Sequence, residues 1–195
     1  MPLPKRIGLF FGSFNPVHTG HLIIAEYMAD MTDLQQVWFV VSPHNPLKVR
    51  STLANDFDRL HMVQLAIEDN PKLRASNIEF SLPKPSYTID TMAYLHEKYP
   101  EHSFSLIMGS DNLEGIGKWK NYELLLERYP IHVYKRSGTE NITHPGKADV
   151  KIHNVPLLDI SSTYIRQQIA KGHSIRYMVP ETVYQYLDGS RLYRQ

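Results

Sequence analysis

Val37 to Val41 reads VWFVV, and Ile7 to Phe11 reads IGLFF. Runs that are apolar throughout, and too short for buried helices, fit strands covered on both faces. Between such runs stand segments with apolar residues three and four apart. A strand buried on both sides needs helices on both sides, and the connections between strands must supply them. Further strands are expected at Phe104–Met108 (FSLIM), Ile131–Tyr134 and Val150–Asn154, with a weak one at Lys72–Ala75. Helices are expected at Gly20–Met31, with Leu22, Ala25, Met28 and Ala29 on one face, and at Asn55–Asp69, with Leu60, Val63 and Ile67. A third is expected at Thr88–Tyr99, with Ile89, Met92, Ala93 and His96 in register, and others at Tyr122–Arg128, Ser162–Lys171 and Glu181–Leu187. Polar, Gly-containing Gly138–Lys147 reads as a surface loop. The fold class expected is α/β, a doubly wound parallel sheet with helices on both faces. Ligands of such sheets sit beyond the carboxyl ends of the strands, where strand order reverses. Gly12, Ser42, Gly109 and Arg136 each follow a strand and should share that rim.

A length of 195 residues, 42% of them hydrophobic, suits one domain with a sizeable core. The domain is read as 1–195, with a small C-terminal helical part from about residue 162. No cysteine is present, which excludes a disulfide scaffold, a thiolate nucleophile and a Cys-ligated zinc site. The net charge of +1 offers no basic field for long nucleic acid. Ile7–Phe11 is too short for a signal-peptide core, and nothing approaches the roughly 18 apolar residues of a membrane span. A cytoplasmic protein is expected, with no nucleic-acid or membrane partner. The sequence does not specify an oligomeric state.

The chain turns from its first strand into its first helix through GSFNPVHTGH, Gly12 to His21. This is the usual phosphate position of a doubly wound sheet, because a helix N-terminus carries free N–H groups and a positive dipole end. Yet neither G-x-G-x-x-G nor G-x-x-x-x-G-K-[ST] is present. His18 and His21 stand where those devices would be, and their ring N–H groups suit a phosphate oxygen. Gly20 removes a Cβ where a ligand must come close. Zinc is a weaker reading, since no third ligand is evident, and no protein-held metal is expected.

GSFNPVHTGH resembles the G-x-F-x-P-x-H-x-G-H signature of the nucleotidyltransferase superfamily. ISSTYIR, Ile160 to Arg166, resembles that superfamily's second signature, I-S-S-T-x-x-R. Ser161, Ser162 and Thr163 can cap a helix, and Arg166 follows Ser162 by one helical turn, which makes a second anion site. Over nearly its whole length the chain is similar to the bacterial nicotinate-nucleotide adenylyltransferases. PSYTIDTM (Pro85–Met92), IMGSDNL (Ile107–Leu113), KWKNYELLL (Lys118–Leu126), VYKRSG (Val133–Gly138) and VPETVYQYLDGSRLY carry that likeness. Many relatives have P-P-H-K after the second strand; here the loop reads SPHNPLK, with His44 before Pro46 and Lys48 last. The aromatic that often follows the family tryptophan is replaced by Lys120.

The resemblance implies a Rossmann-like nucleotidyltransferase fold. It also implies adenylyl transfer from ATP to nicotinate mononucleotide, giving deamido-NAD and pyrophosphate. It gives His18, His21, Lys48 and Arg166 as the catalytic cations or donors. Gly12, Ser13, Phe14, Gly20, Gly109 and Asp111 would bind ATP, with Ile160, Ser161, Ser162 and Thr163. Asp111 serves equally well as a helix N-cap after Gly109. The acceptor would meet Asn15, Tyr87, Thr88, Trp119, Lys120 and Arg136. Its carboxylate would lie between helix starts at Thr88 and Lys120. Mg²⁺ is implied, carried mainly by ATP phosphates. An acceptor phosphate is largely dianionic at neutral pH, its second pKa being near ~6, so no general base is required. Nicotinamide mononucleotide or another phosphomonoester as acceptor, and a nucleotide-sensing module without turnover, stay open as alternatives.

Overall fold

The computed structural model describes residues 4–43, 53–136, 148–156 and 158–194. Each apolar run becomes a strand: β1 (Arg6–Gly12), β2 (Gln36–Val41), β3 (Leu73–Ser76), β4 (Ser103–Gly109), β5 (Ile131–Tyr134) and β6 (Val150–His153). All neighbours are parallel, in the order β3-β2-β1-β4-β5-β6. The chain walks outward in one direction through β1, β2 and β3. It returns to the other side of β1 for β4, β5 and β6, so the order reverses between β1 and β4.

The seven helices are α1 (Thr19–Met31), α2 (Asp56–Ile67), α3 (Thr88–Lys98), α4 (Ser110–Glu114), α5 (Tyr122–Arg128), α6 (Ser162–Ala170) and α7 (Glu181–Asp188), counted among the described residues. Alternation along β2 shows how the sheet is covered. Val37, Phe39 and Val41 join the apolar cluster of α1, α2, α6 and α7, while Trp38 and Val40 join that of α3, α4 and α5. Phe39 and Trp38 are both essentially buried, and each contributes on the order of 1.5–3 kcal/mol by leaving water. No helix among the described residues is long and apolar enough to cross a membrane.

The structure departs from the sequence reading at a few points. Helix α2 starts one residue late because Asn55 is its cap, accepting from Phe57 N–H at 2.9 Å. In α3 the buried face is Thr91, Met92 and Leu95, while Ala93 and His96 are exposed. The expected register fails there because Thr91, a polar residue, takes a core position. Helix α4 and the 3₁₀ turns Ile78–Ser81 and Ile116–Lys118 are too short for periodicity to reveal. No helix begins at Lys120; Asn121, at φ 49°, is the N-cap of α5. The expected loop Gly138–Lys147 lies outside the described residues.

A histidine pair ties the last two strands together. His132 on β5 and His153 on β6 are register neighbours but one, with Nδ1 and Nε2 3.1 Å apart and rings nearly parallel. His132 is buried, and its pKa falls from 6.5 to about 4 through burial, then through His153 and Lys151; Asp33, 4.0 Å away, opposes the shift without reversing it. A folded-state value below the unfolded one means that the unfolded chain takes the proton first. The stability that neutral His132 contributes is therefore complete above about pH 6.5 and is lost as pH falls towards 4. Unfolding in urea at pH 7.5 and pH 5.0 should show wild type losing about 2 kcal/mol more than His132→Gln over that interval. Equal losses would show that this pair does not carry the acid sensitivity.

Candidate active site

The turn after β1 is built around a strained phenylalanine. Phe14 has φ 45°, a left-handed conformation that costs a bulky residue about 1–3 kcal/mol. Its ring is buried against Phe10, Phe39 and His21, with centroids 5.7, 5.2 and 5.1 Å away. A Cβ on Gly12 would stand 2.8 Å from that ring, so the glycine makes room for Phe14. Phe14 in turn braces the imidazole of His21.

His18 is the N-cap of α1 and His21 lies in its first turn. The backbone N–H of His18 donates to His21 Nδ1 at 3.2 Å, and His21 N–H donates to the His18 carbonyl at 2.9 Å. The first bond makes Nδ1 of His21 an acceptor, so the neutral ring carries its proton on Nε2. The two rings stack 3.7 Å apart. His18 is 6% exposed, and its pKa falls to about 4, first through burial and then through Arg136. Its Nδ1 has no hydrogen-bond partner among the described residues. An orphan lone pair costs less than an orphan donor, which favours the proton on Nε2 of this ring also. His18 is thus set up as a neutral donor, with the His21 ring stacked beside it. A Cβ on Gly20 would come within 3.1 Å of His18 Nδ1, so this glycine accommodates the His18 ring as well as any ligand.

The second motif reaches back to the first. Ser161 caps α6 by accepting from Tyr164 N–H at 3.2 Å. Ser162 donates to the Pro16 carbonyl at 2.9 Å, and Arg166 Nη1 to the Asn15 carbonyl at 2.8 Å. Asn15 is itself buried; its side-chain oxygen accepts from Ala54 N–H at 3.0 Å and from the Tyr193 hydroxyl at 2.6 Å.

Between the motifs opens a cleft of about 810 Å³ at the carboxyl ends of the strands. Gly12, Ser13, Phe14, Asn15, His18, Gly20 and His21 line one side of it, and Ile160, Ser161, Ser162, Thr163 and Arg166 another. Trp119, Arg136, Tyr134 and the end of β4 complete the wall. Trp119 is half-buried and also packs on the α3–α5 cluster. Gly109 and Asp111 stand beside the cleft, next to Arg136, whose Nη1 lies 3.3 Å from the Asp111 carboxylate. Gly109, not Asp111, is the N-cap of α4. Tyr87, Thr88 and Lys120 are not among the lining residues, yet they lie together. Lys120 Nζ pairs with both oxygens of Asp90, at 3.1 and 2.8 Å, and sits over the Tyr87 ring at 4.8 Å. The Lys120 charge is therefore already matched. His44 and Lys48 lie outside the described residues.

Sequence reading missed Arg59, which organises the rim. It is fully buried, and each of its five N–H donors has an acceptor. Nε donates to Ala54 O at 3.1 Å. Nη1 donates to Ser13 O at 2.5 Å and Ser42 O at 2.9 Å, and Nη2 to Pro43 O at 3.3 Å and Asp56 Oδ1 at 2.7 Å. The only signal in the sequence is a cation on the apolar face of α2, beside Leu60, Met62 and Val63. Buried Glu79 and the Tyr193 hydroxyl were missed too.

A six-stranded parallel sheet with a histidine-capped helix at its reversal point is the architecture of a nucleotide-handling enzyme. The cytidylyltransferase-like family model matches residues 9–168, and the chain belongs to that family. Within it the chain is one of the nicotinate-nucleotide adenylyltransferases. A protein of Flavobacterium psychrophilum named "Probable nicotinate-nucleotide adenylyltransferase" is 51% identical over 97% of this chain and 100% of its own length. One of the same name from Cytophaga hutchinsonii is 52% identical, covering 96% and 98%. Among solved structures, Plasmodium falciparum nicotinic acid mononucleotide adenylyltransferase complexed with NaAD superposes with a TM-score of 0.81. It covers 97% of both chains at 22% identity, a likeness of fold.

Arg59→Lys keeps the charge and removes the fork, leaving several buried carbonyls without donors. We expect a loss of about 2–4 kcal/mol in urea unfolding at pH 7.5. A loss below about 0.5 kcal/mol, the range of ordinary surface substitutions, would show that the five bonds are dispensable.

Proposed function

We propose that this chain acts in the cytoplasm as a nicotinate-nucleotide adenylyltransferase, converting ATP and nicotinate mononucleotide to deamido-NAD and pyrophosphate. One observation carries the reading. The two signature segments, far apart in sequence, are hydrogen-bonded to each other through Ser162–Pro16 and Arg166–Asn15, and so frame one cleft.

In this reading the acceptor's phosphate oxygen attacks the α-phosphorus of ATP, and the bond to the β-phosphate bridging oxygen breaks. The Nε2–H groups of His18 and His21 meet phosphate oxygens at the α1 N-terminus, where the helix dipole adds to them. Because His18 is neutral, it stabilises charge as it develops without binding the ground-state triphosphate as tightly as a cation would. The α6 N-terminus (Ser161–Thr163) and Arg166 receive the departing pyrophosphate, with Lys48 added from the family resemblance alone. Among the described residues no three His, Asp or Glu side chains are grouped to hold a metal. Asp111, beside the rim, is committed to Arg136, and Asp159 is the single carboxylate among the described lining residues. The residues therefore fit an Mg²⁺ that takes its oxygens from phosphates and water. Bound so, the ion would neutralise charge on the leaving group.

The acceptor's ring is assigned to Trp119 and its carboxylate to the start of α3. Tyr87, the N-cap there, makes no side-chain cap bond; Asp90 N–H already donates to the Tyr87 carbonyl at 3.0 Å, so this reading assigns the carboxylate to the N–H groups of Thr88 and Ile89. An amide NH₂ would set donor against donor, at about 1–3 kcal/mol for each mispaired group. Lys120, neutralised by Asp90, acts by holding the Trp119 segment beside α3.

Pyrophosphate release with Mg-ATP and a panel of acceptors tests the whole. We expect turnover with nicotinate mononucleotide to exceed that with nicotinamide mononucleotide by about 10²-fold or more, from several such mispairings together. Equal rates would move the chain to a dual-specificity class, and no pyrophosphate with any acceptor would favour a sensor. His21→Ala, checked for folding by circular dichroism, should lose about 10²–10³ in kcat. Trp119→Ala should raise KM for the mononucleotide and leave KM for ATP almost unchanged.

A further inference from the structure

Glu79 lies in the 3₁₀ turn after β3, between Ile78 and Phe80, and is 2% exposed. No Lys or Arg among the described residues pairs with it; its partners are hydroxyls. Oε1 accepts from Thr91 at 2.8 Å, Oε2 accepts from Ser86 at 3.1 Å, and the Ser42 hydroxyl donates to the same carboxylate. These hydroxyls come from three places: the end of β2, the loop before α3, and the second turn of α3. Residues Tyr87 to Asp90, the start of α3, are therefore suspended between two anchors that end on one side chain. A buried carboxylate without a cation is costly, and burial pushes its pKa up. An apolar residue would serve packing better. What the carboxylate supplies is a set of three directed bonds that fix the angle and depth of one helix start.

We propose that Glu79 is a positioning residue for the acceptor site, holding the first turn of α3 so that its N–H groups face the acceptor's carboxylate. This rests on the assignment of that carboxylate to α3 made above. Glu79 touches neither substrate. Its effect passes through Ser86 and Thr91 to the backbone of Tyr87 and Thr88. It therefore acts on acceptor affinity and on the choice of acid over amide, and leaves the ATP side to α1 and α6.

The test uses the full chain and steady-state kinetics with both substrates varied. Glu79→Gln keeps the shape, but its NH₂ cannot accept from a hydroxyl. It should raise KM for nicotinate mononucleotide about tenfold, leave KM for ATP within about threefold, and lower the acid-over-amide ratio. Thr91→Val, which removes only the hydroxyl, should do the same to a smaller extent, while Thr91→Ser restores wild-type values. The double variant Glu79→Gln/Thr91→Val should be no worse than Glu79→Gln alone, since both cut one path. If Glu79→Gln does not fold, Ser86→Ala at its half-buried position and Thr91→Val decide the same comparison. Equal changes in both KM values, or none, would overturn the proposal. Wild-type protein that uses acid and amide equally removes the underlying reading and overturns both. Wild-type discrimination with unaffected variants overturns the role of Glu79 alone.

Discussion

One guanidinium holds the rim of this protein together. Arg59 rises from α2 into a space walled by the turn after β1, the end of β2 and the approach to α2. Moving its charge out of water costs several kcal/mol, and only full use of the planar fork offsets that. The carbonyls it collects belong to irregular backbone that no strand or helix satisfies. Without such a donor, Ser13 and Ser42 would have to turn their carbonyls to solvent. Phe14 would then lose the constraint that keeps it left-handed beneath His21. The imidazole pair is thus the last link of a chain of placements that begins in α2.

That chain explains how much could be read from the sequence. The sheet was legible because its strands are apolar throughout, and VWFVV leaves little alternative to a strand covered on both faces. The two segments that frame the cleft were legible because their residues are contiguous: His18, Gly20 and His21 in one turn, Ser161 to Arg166 in another. Arg59, Glu79 and Tyr193 were not, because their significance lies in partners distant in sequence, and a single charged residue in an apolar helix face names no partner. Thr91 misled the α3 register for the same reason. Its core position makes sense only once Glu79 is known to receive its hydroxyl. The helix start expected at Lys120 failed locally, since Asn121 in a left-handed conformation delays α5.

The cleft and its surroundings are built from groups held away from their ordinary states. His18 is kept neutral by burial beside Arg136. Glu79 is buried with no Lys or Arg partner among the described residues, and Phe14 is strained. None of these would be selected for stability alone. Their costs are met by the apolar clusters on the two faces of the sheet, which share Phe14, Tyr134, Ile160, Trp119 and the end of β4 with the cleft. Scaffold and site therefore meet in a common wall.

The bond from the Tyr193 hydroxyl to Asn15 spans 178 positions of the chain. A ribosome delivers Asn15 long before Tyr193. Until Tyr193 follows, the turn after β1 therefore has its histidines but lacks its outer brace. Arg166 and Ser162 arrive in the interim and settle Pro16 and Asn15 only in part. The brace closes only when the segment after α7 folds back over the turn after β1.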